Sequence, residues 1–170
     1  MRRLRAGEWT AAFGGAALLV TLFLPWFDVE LPAPASANLI TAVLVEGGGT
    51  SGWDTLGWFV LALALAAVGC AAWLLVANAT ARPVAQAVAA SVLTPTIATF
   101  AFVALALRVL LFQPGPNDIV VLRYGAWLGL LAALILAIGG WLAIKDERTA
   151  APESAYTPPA PRPPPPARAA

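Results

Sequence analysis

Two arginines, Arg108 and Arg123, stand inside long apolar runs, the one setting in which a cation needs an explanation. Arg108 lies five residues before Gln113, and Arg123 five residues after Asp118. The stretch between, Gln113-Pro114-Gly115-Pro116-Asn117-Asp118, carries strong turn residues. An antiparallel hairpin about that turn brings both guanidinium groups to similar depth at one end of the molecule. Asp28, Asp54 and Asp118 belong to the same end, so the chemistry on offer is ion pairing or capture of an anion or lipid phosphate. The plainer role is two arginines that snorkel to water and make structural ion pairs.

Other chemistries find little material. Histidine is absent, which removes the commonest metal ligand and the usual neutral-pH proton shuttle. Cys70 is the only cysteine, and its apolar surroundings suit a small packing residue. Glu46 and Asp54 resemble a carboxylate pair but sit in a polar connection with nothing to fix them. No glycine-rich phosphate loop and no serine with a base is present. The expectation is a protein that is not an enzyme, with no catalytic residues, no metal site and no cofactor.

The elements that position these residues follow from composition. Of 170 residues, 60% are apolar and 11% charged, and the apolar ones come in blocks. A crossing takes about 20 mostly apolar residues, and four stretches qualify: 9–27, 56–77, 84–112 and 119–144. The expected fold is an all-α membrane protein of four antiparallel transmembrane helices, occupying 1–148 and followed by a Pro-rich, disordered cytoplasmic tail at 149–170. The N-terminus imitates a signal peptide, with Ala35-Ser36-Ala37 as a cleavage site. The apolar run through Trp26 and Phe27 leaves that site far downstream, so retention as a first span is expected.

Charge sets the orientation. Arg2, Arg3, Arg5, Arg82, Lys145 and Arg148 fall on one side of the spans; Asp28, Glu30, Glu46, Asp54 and Asp118 fall on the other. The positive-inside tendency puts both termini in the cytoplasm of a cell membrane. Tryptophans at span ends agree: Trp26, Trp53, Trp58 and Trp127 outside, Trp9, Trp73 and Trp141 inside. The connection 28–52 is long enough to fold, and 26–31 with 39–45 predicts a small extracytoplasmic β-hairpin.

Two helix faces stand out. Gly125, Gly129, Ala133 and Ala137 recur every four residues and let backbones approach closely, for internal packing or dimerisation. Weaker versions are Ala11 with Gly15, and Ala62, Ala66 and Cys70. In the third span Ala87, Ser91, Thr94, Ala98, Ala101, Leu105 and Arg108 form one stripe suited to the bundle interior. Pro95 there deletes a backbone donor, whose abandoned carbonyl neighbouring threonine hydroxyls can help satisfy.

Leu24-Pro25-Trp26-Phe27, Ser51-Gly52-Trp53-Asp54 and Arg123-Tyr124-Gly125-Ala126-Trp127-Leu128-Gly129 through Trp141 resemble uncharacterised small four-span proteins of high-GC actinobacteria. That resemblance covers the membrane portion and implies architecture, with no activity attached. The long first connection is similar in layout to claudin-type tetraspan proteins but lacks their cysteine pair. The expected role is a scaffold or accessory subunit in the lipid bilayer, with a membrane-protein partner or a second copy and no nucleic acid. The alternative is a small-anion or lipid-binding subunit working through Arg108 and Arg123.

Overall fold

The structure, a computed structural model, describes residues 5–29, 49–80, 84–114 and 120–149. The 39–45 half of the expected hairpin, Glu30, Glu46, Arg82, Asp118 and the Pro-rich tail after Thr149 lie outside the described residues. The chain is mostly helical. In order it forms α1 (Ala6–Thr21), β1 (Pro25–Val29), β2 (Thr50–Ser51), α2 (Gly52–Thr55), α3 (Trp58–Ala79), α4 (Val84–Leu110), β3 (Val120–Leu122) and α5 (Tyr124–Thr149). The helices α3, α4 and α5 each contain 22 residues long and apolar enough to cross a membrane, which marks this as a membrane protein. Helix α1, at 16 residues, is shorter than a full crossing.

Within the expected first span, 9–27, the helix stops at Thr21. The reason is Pro25, which has no N–H to give and disfavours helical backbone at Leu24. The last turn tightens, with Phe23 N–H donating to the Val20 carbonyl (3.1 Å) and Leu24 N–H to Thr21 (3.0 Å). Pro25–Val29 then runs as a strand. At the other connection Val120–Leu122 is also strand, so the helix expected from 119 begins at Tyr124.

These pieces form a sheet of order β2-β1-β3, antiparallel throughout. Phe27 faces Leu122, Asp28 faces Val121 and Val29 faces Val120; on the other edge Pro25 pairs with Ser51 and Phe27 with Thr50, across an irregularity. Beside the helices there is thus a small three-stranded sheet where a two-stranded hairpin was expected, and its described strands join the connection after α1 to the one before α5.

Helix α1 packs chiefly on α5 and also on α3, while α4 packs on α3 and α5. Glycine sets the α1–α5 distance. A β-carbon at Gly7 would stand 2.5 Å from the Ala143 nitrogen, and one at Gly14 2.7 Å from the Leu136 Cα. Gly139 likewise meets the backbone of Ala11. On the α4 side, Gly140 faces Pro95, where a β-carbon would lie 2.9 Å from the proline Cα.

The stripe of α4 faces inward: Ser91, Thr94, Ala98, Ala101 and Leu105 are all buried. Helix α4 continues through Pro95. Thr94 Oγ1 donates to the carbonyls of Ala90 (2.7 Å) and Cys70 (3.1 Å), and Thr99 Oγ1 to that of Pro95 (2.7 Å). On α3 the packed face is Ala64, Ala67, Ala71 and Leu74, whereas Ala62 and Ala66 of the expected stripe are exposed.

Replacing Gly129, whose β-carbon would enter the Trp26 indole, with alanine should cost about 1–3 kcal/mol by overpacking. Gly69→Ala, with open space around it, should be neutral or stabilising. Thermal unfolding in detergent reads both; equal transitions for the two variants would sink this account of the α5 glycine.

Candidate functional site

The charged groups of interest gather at the end of the molecule that carries the sheet. Their frame is Trp26, which is 0% exposed. A buried indole N–H needs an acceptor, and Trp26 Nε1 finds the Thr21 carbonyl at 2.6 Å. That carbonyl belongs to the last turn of α1, where helical partners run out. Gly129 and Gly52 clear the volume around the ring: a β-carbon at Gly52 would lie 2.9 Å from Trp26 Nε1. Gly52 N–H donates to the Leu22 carbonyl (3.0 Å), tying α2 to the end of α1.

Arg123 sits between β3 and α5. Its backbone N–H donates to the Trp26 carbonyl (2.9 Å), so its Cα is fixed by the sheet. Its Nε and NH2 both donate to Asp28 Oδ2, at 2.9 and 2.5 Å. The pair is partly solvated, with side chains 45% and 17% exposed. In such a setting it contributes modestly, roughly 0–1 kcal/mol, and its geometric effect is to clamp β1 to the start of α5.

Arg108, in the last turn of α4, takes a different set of partners. Its Nε and NH2 donate to the Thr55 carbonyl at 3.2 and 2.6 Å, and its NH1 donates to the Phe112 carbonyl. Thr55 closes α2, and Phe112 follows the end of α4, so the guanidinium satisfies carbonyls at two helix ends. Among the described residues it makes no ion pair. Among the described residues the two arginines take different partners: Arg123 a carboxylate from β1, Arg108 main-chain oxygens. Peptide carbonyls were available at the helix ends, and sequence inspection counts only charged side chains.

Asp54 is directed elsewhere, accepting from Ser51 Oγ at 2.6 Å across the start of α2. Asp118 lies outside the described residues. Of the small-residue face, Gly125 abuts Pro25 and Leu24, Gly129 receives the Trp26 ring, and Ala133 and Ala137 are buried in the core. All four are therefore covered by this chain's own elements.

Sequence reading missed Trp26 as the centre of this end and assigned it to the membrane interface with the other tryptophans. Its indole is enclosed, while Trp9, Trp53, Trp58, Trp127 and Trp141 are exposed. The signal was adjacent: Pro25 ends the helix and turns the next residue inward. Glu8, buried at the opposite end and accepting from the Arg5 N–H at 3.1 Å, was also passed over. Among the described residues no group of three or more metal-ligating side chains lies together.

A double-mutant cycle on Asp28→Asn and Arg123→Gln should return a coupling of about 0.2–1 kcal/mol in detergent unfolding, shrinking with added salt. Strict additivity would show that the clamp carries no energy. No family model, curated protein or solved structure matches this chain.

Proposed function

We propose that the chain is a non-catalytic scaffold or accessory subunit that crosses the cell membrane four times with both termini cytoplasmic. One observation carries the reading: among the described residues, Arg108, Arg123, Asp28 and Asp54 at the sheet-bearing end each bond to the chain's own frame. Arg123 holds Asp28, Arg108 holds the ends of α2 and α4, and Asp54 holds Ser51. Groups committed in this way build a platform, and among the described residues of this end they form no pair poised for acid–base or nucleophilic work. Strand β1 ends at Val29 and β2 begins at Thr50, so the intervening segment both leaves and rejoins the platform.

Four crossings are favoured by the run of α1 along α5. Their contacts extend from Gly7 against Ala143 to Gly14 against Leu136, so α1 covers much of the depth of a helix that is itself long enough to cross. With Leu22 to Val29 added, the first segment matches the others. The orientation is favoured by Arg5 and Lys145 at one end and Asp28 and Asp54 at the other. A joint anion site at Arg108 and Arg123 has less support, because each guanidinium has its own internal partner.

In a Cys70→Ala background, Ser51→Cys should react with an impermeant maleimide in intact cells, and Ser154→Cys only after permeabilisation. The reverse pattern would invert the orientation. Crosslinking in native membranes should capture one partner protein in stoichiometric amount, lost when 30–48 is replaced by a Gly-Ser linker of equal length. A chain that runs alone before and after the replacement would overturn the scaffold role.

A further inference from the structure

An apolar groove of about 510 Å³ runs between α1 and α5, within the range of small-ligand sites. Phe13, Ala17, Val20 and Leu24 form one wall, and Leu128 and Ile135 stand on the other. Its one hydroxyl, Thr21 Oγ1, donates to the Leu18 carbonyl at 2.7 Å and offers nothing to a ligand. From Leu128 to Ile135 the groove follows α5 for about 10 Å at 1.5 Å per residue, most of the roughly 15 Å hydrocarbon depth of one leaflet.

Arg123 belongs to the end of the molecule at which this groove stops. Leu24 closes the groove there and lies beside Gly125, two residues after Arg123. The Arg123 N–H is bonded to Trp26, two residues after Leu24, so both walls lead to this arginine. Its guanidinium is 45% exposed, and only Nε and one hydrogen of NH2 are committed to Asp28. NH1 makes no bond among the described residues.

We propose that the groove holds one acyl chain of an outer-leaflet phospholipid whose phosphate is bound by the free edge of Arg123. The occupant follows from the pairing of features. A slot with no polar wall, opening on hydrocarbon, takes a hydrocarbon chain, and the free guanidinium donors of Arg123 at the same end of the molecule take a phosphate oxygen. A second copy of the chain would fill the slot but leave those donors without an anion. The inference rests on α1 and α5 crossing the bilayer with the sheet-bearing end outside, and not on the scaffold role.

The test is native mass spectrometry of the full chain reconstituted with phosphatidylglycerol or with diacylglycerol of the same chains, then extracted in mild detergent. One phosphatidylglycerol per chain should be retained, at least about fivefold over diacylglycerol. Arg123→Gln should erase that preference. Ala16→Phe with Val20→Phe, which fills the slot from α1, should cut retention about tenfold, whereas Val76→Phe on the exposed side of α3 should not. Unchanged retention in the filled variant, or no preference for the phosphate-bearing lipid in the wild type, would overturn the proposal. Should the filled variant not fold, p-benzoylphenylalanine at position 13 gives an independent reading. Crosslinking to phospholipid supports the proposal, and crosslinking to a second copy overturns it. Partner capture and lipid retention read different species, so failure of one is distinct from failure of the other.

Discussion

The seat of the Trp26 indole is the contact on which the rest of this architecture depends. Apolar helices gain little from meeting one another in lipid, so close packing and satisfied polar groups must decide their arrangement. Trp26 supplies both. Its N–H shares the Thr21 carbonyl at the C-terminus of α1 with the Leu24 N–H, and its ring occupies space that exists because positions 52 and 129 have no β-carbon. With the side chain locked, the Trp26 carbonyl is presented to the Arg123 N–H. The end of one helix, the middle strand and the beginning of the last helix are thereby brought into register.

The two arginines illustrate how a membrane protein handles charges it keeps. Neither is left to the hydrocarbon, and the described partners of neither demand a bound ion. Arg108 spreads its donors over main-chain oxygens that helix geometry leaves without partners, so a charge that is costly to bury also caps two helices. Arg123 meets one carboxylate and keeps an edge facing outward. That division explains why the same residue type at similar depth has a purely internal role in one place and an outward-facing one in the other.

Much of this was legible from residue types. Long apolar runs gave away the helices, and the stripe from Ser91 to Leu105 identified the inner face of α4 because hydroxyls and alanines contrast there with larger neighbours. Helix α3 offers no such contrast: it is apolar on every side, so a four-residue spacing through Ala62 and Ala66 was as good a pattern as the Ala64 and Ala67 face that packs. The boundary at Thr21 was hidden for a related reason, since Leu22, Phe23 and Leu24 suit a helix and a buried turn equally. Pairing of Asp28 with Arg123 spans 95 residues, and no local rule selects that partner. The depth of the Trp26 pocket was equally out of reach, because it is made by absences at positions 52 and 129 that acquire meaning only when brought together.

The composition of the sheet has a consequence for how the molecule is made. Its central strand, β1, is synthesised early, yet the strand bonding to Phe27, Asp28 and Val29 is Val120–Leu122, which leaves the ribosome some ninety residues later. Throughout that interval the C-terminal end of the first helix has no Arg123 to clamp it, no Gly129 to receive the indole and one open strand edge. The nascent chain therefore carries an unfinished surface until its final helix is delivered. Assembly is a closing step in which the segment from Val120 onward completes the first.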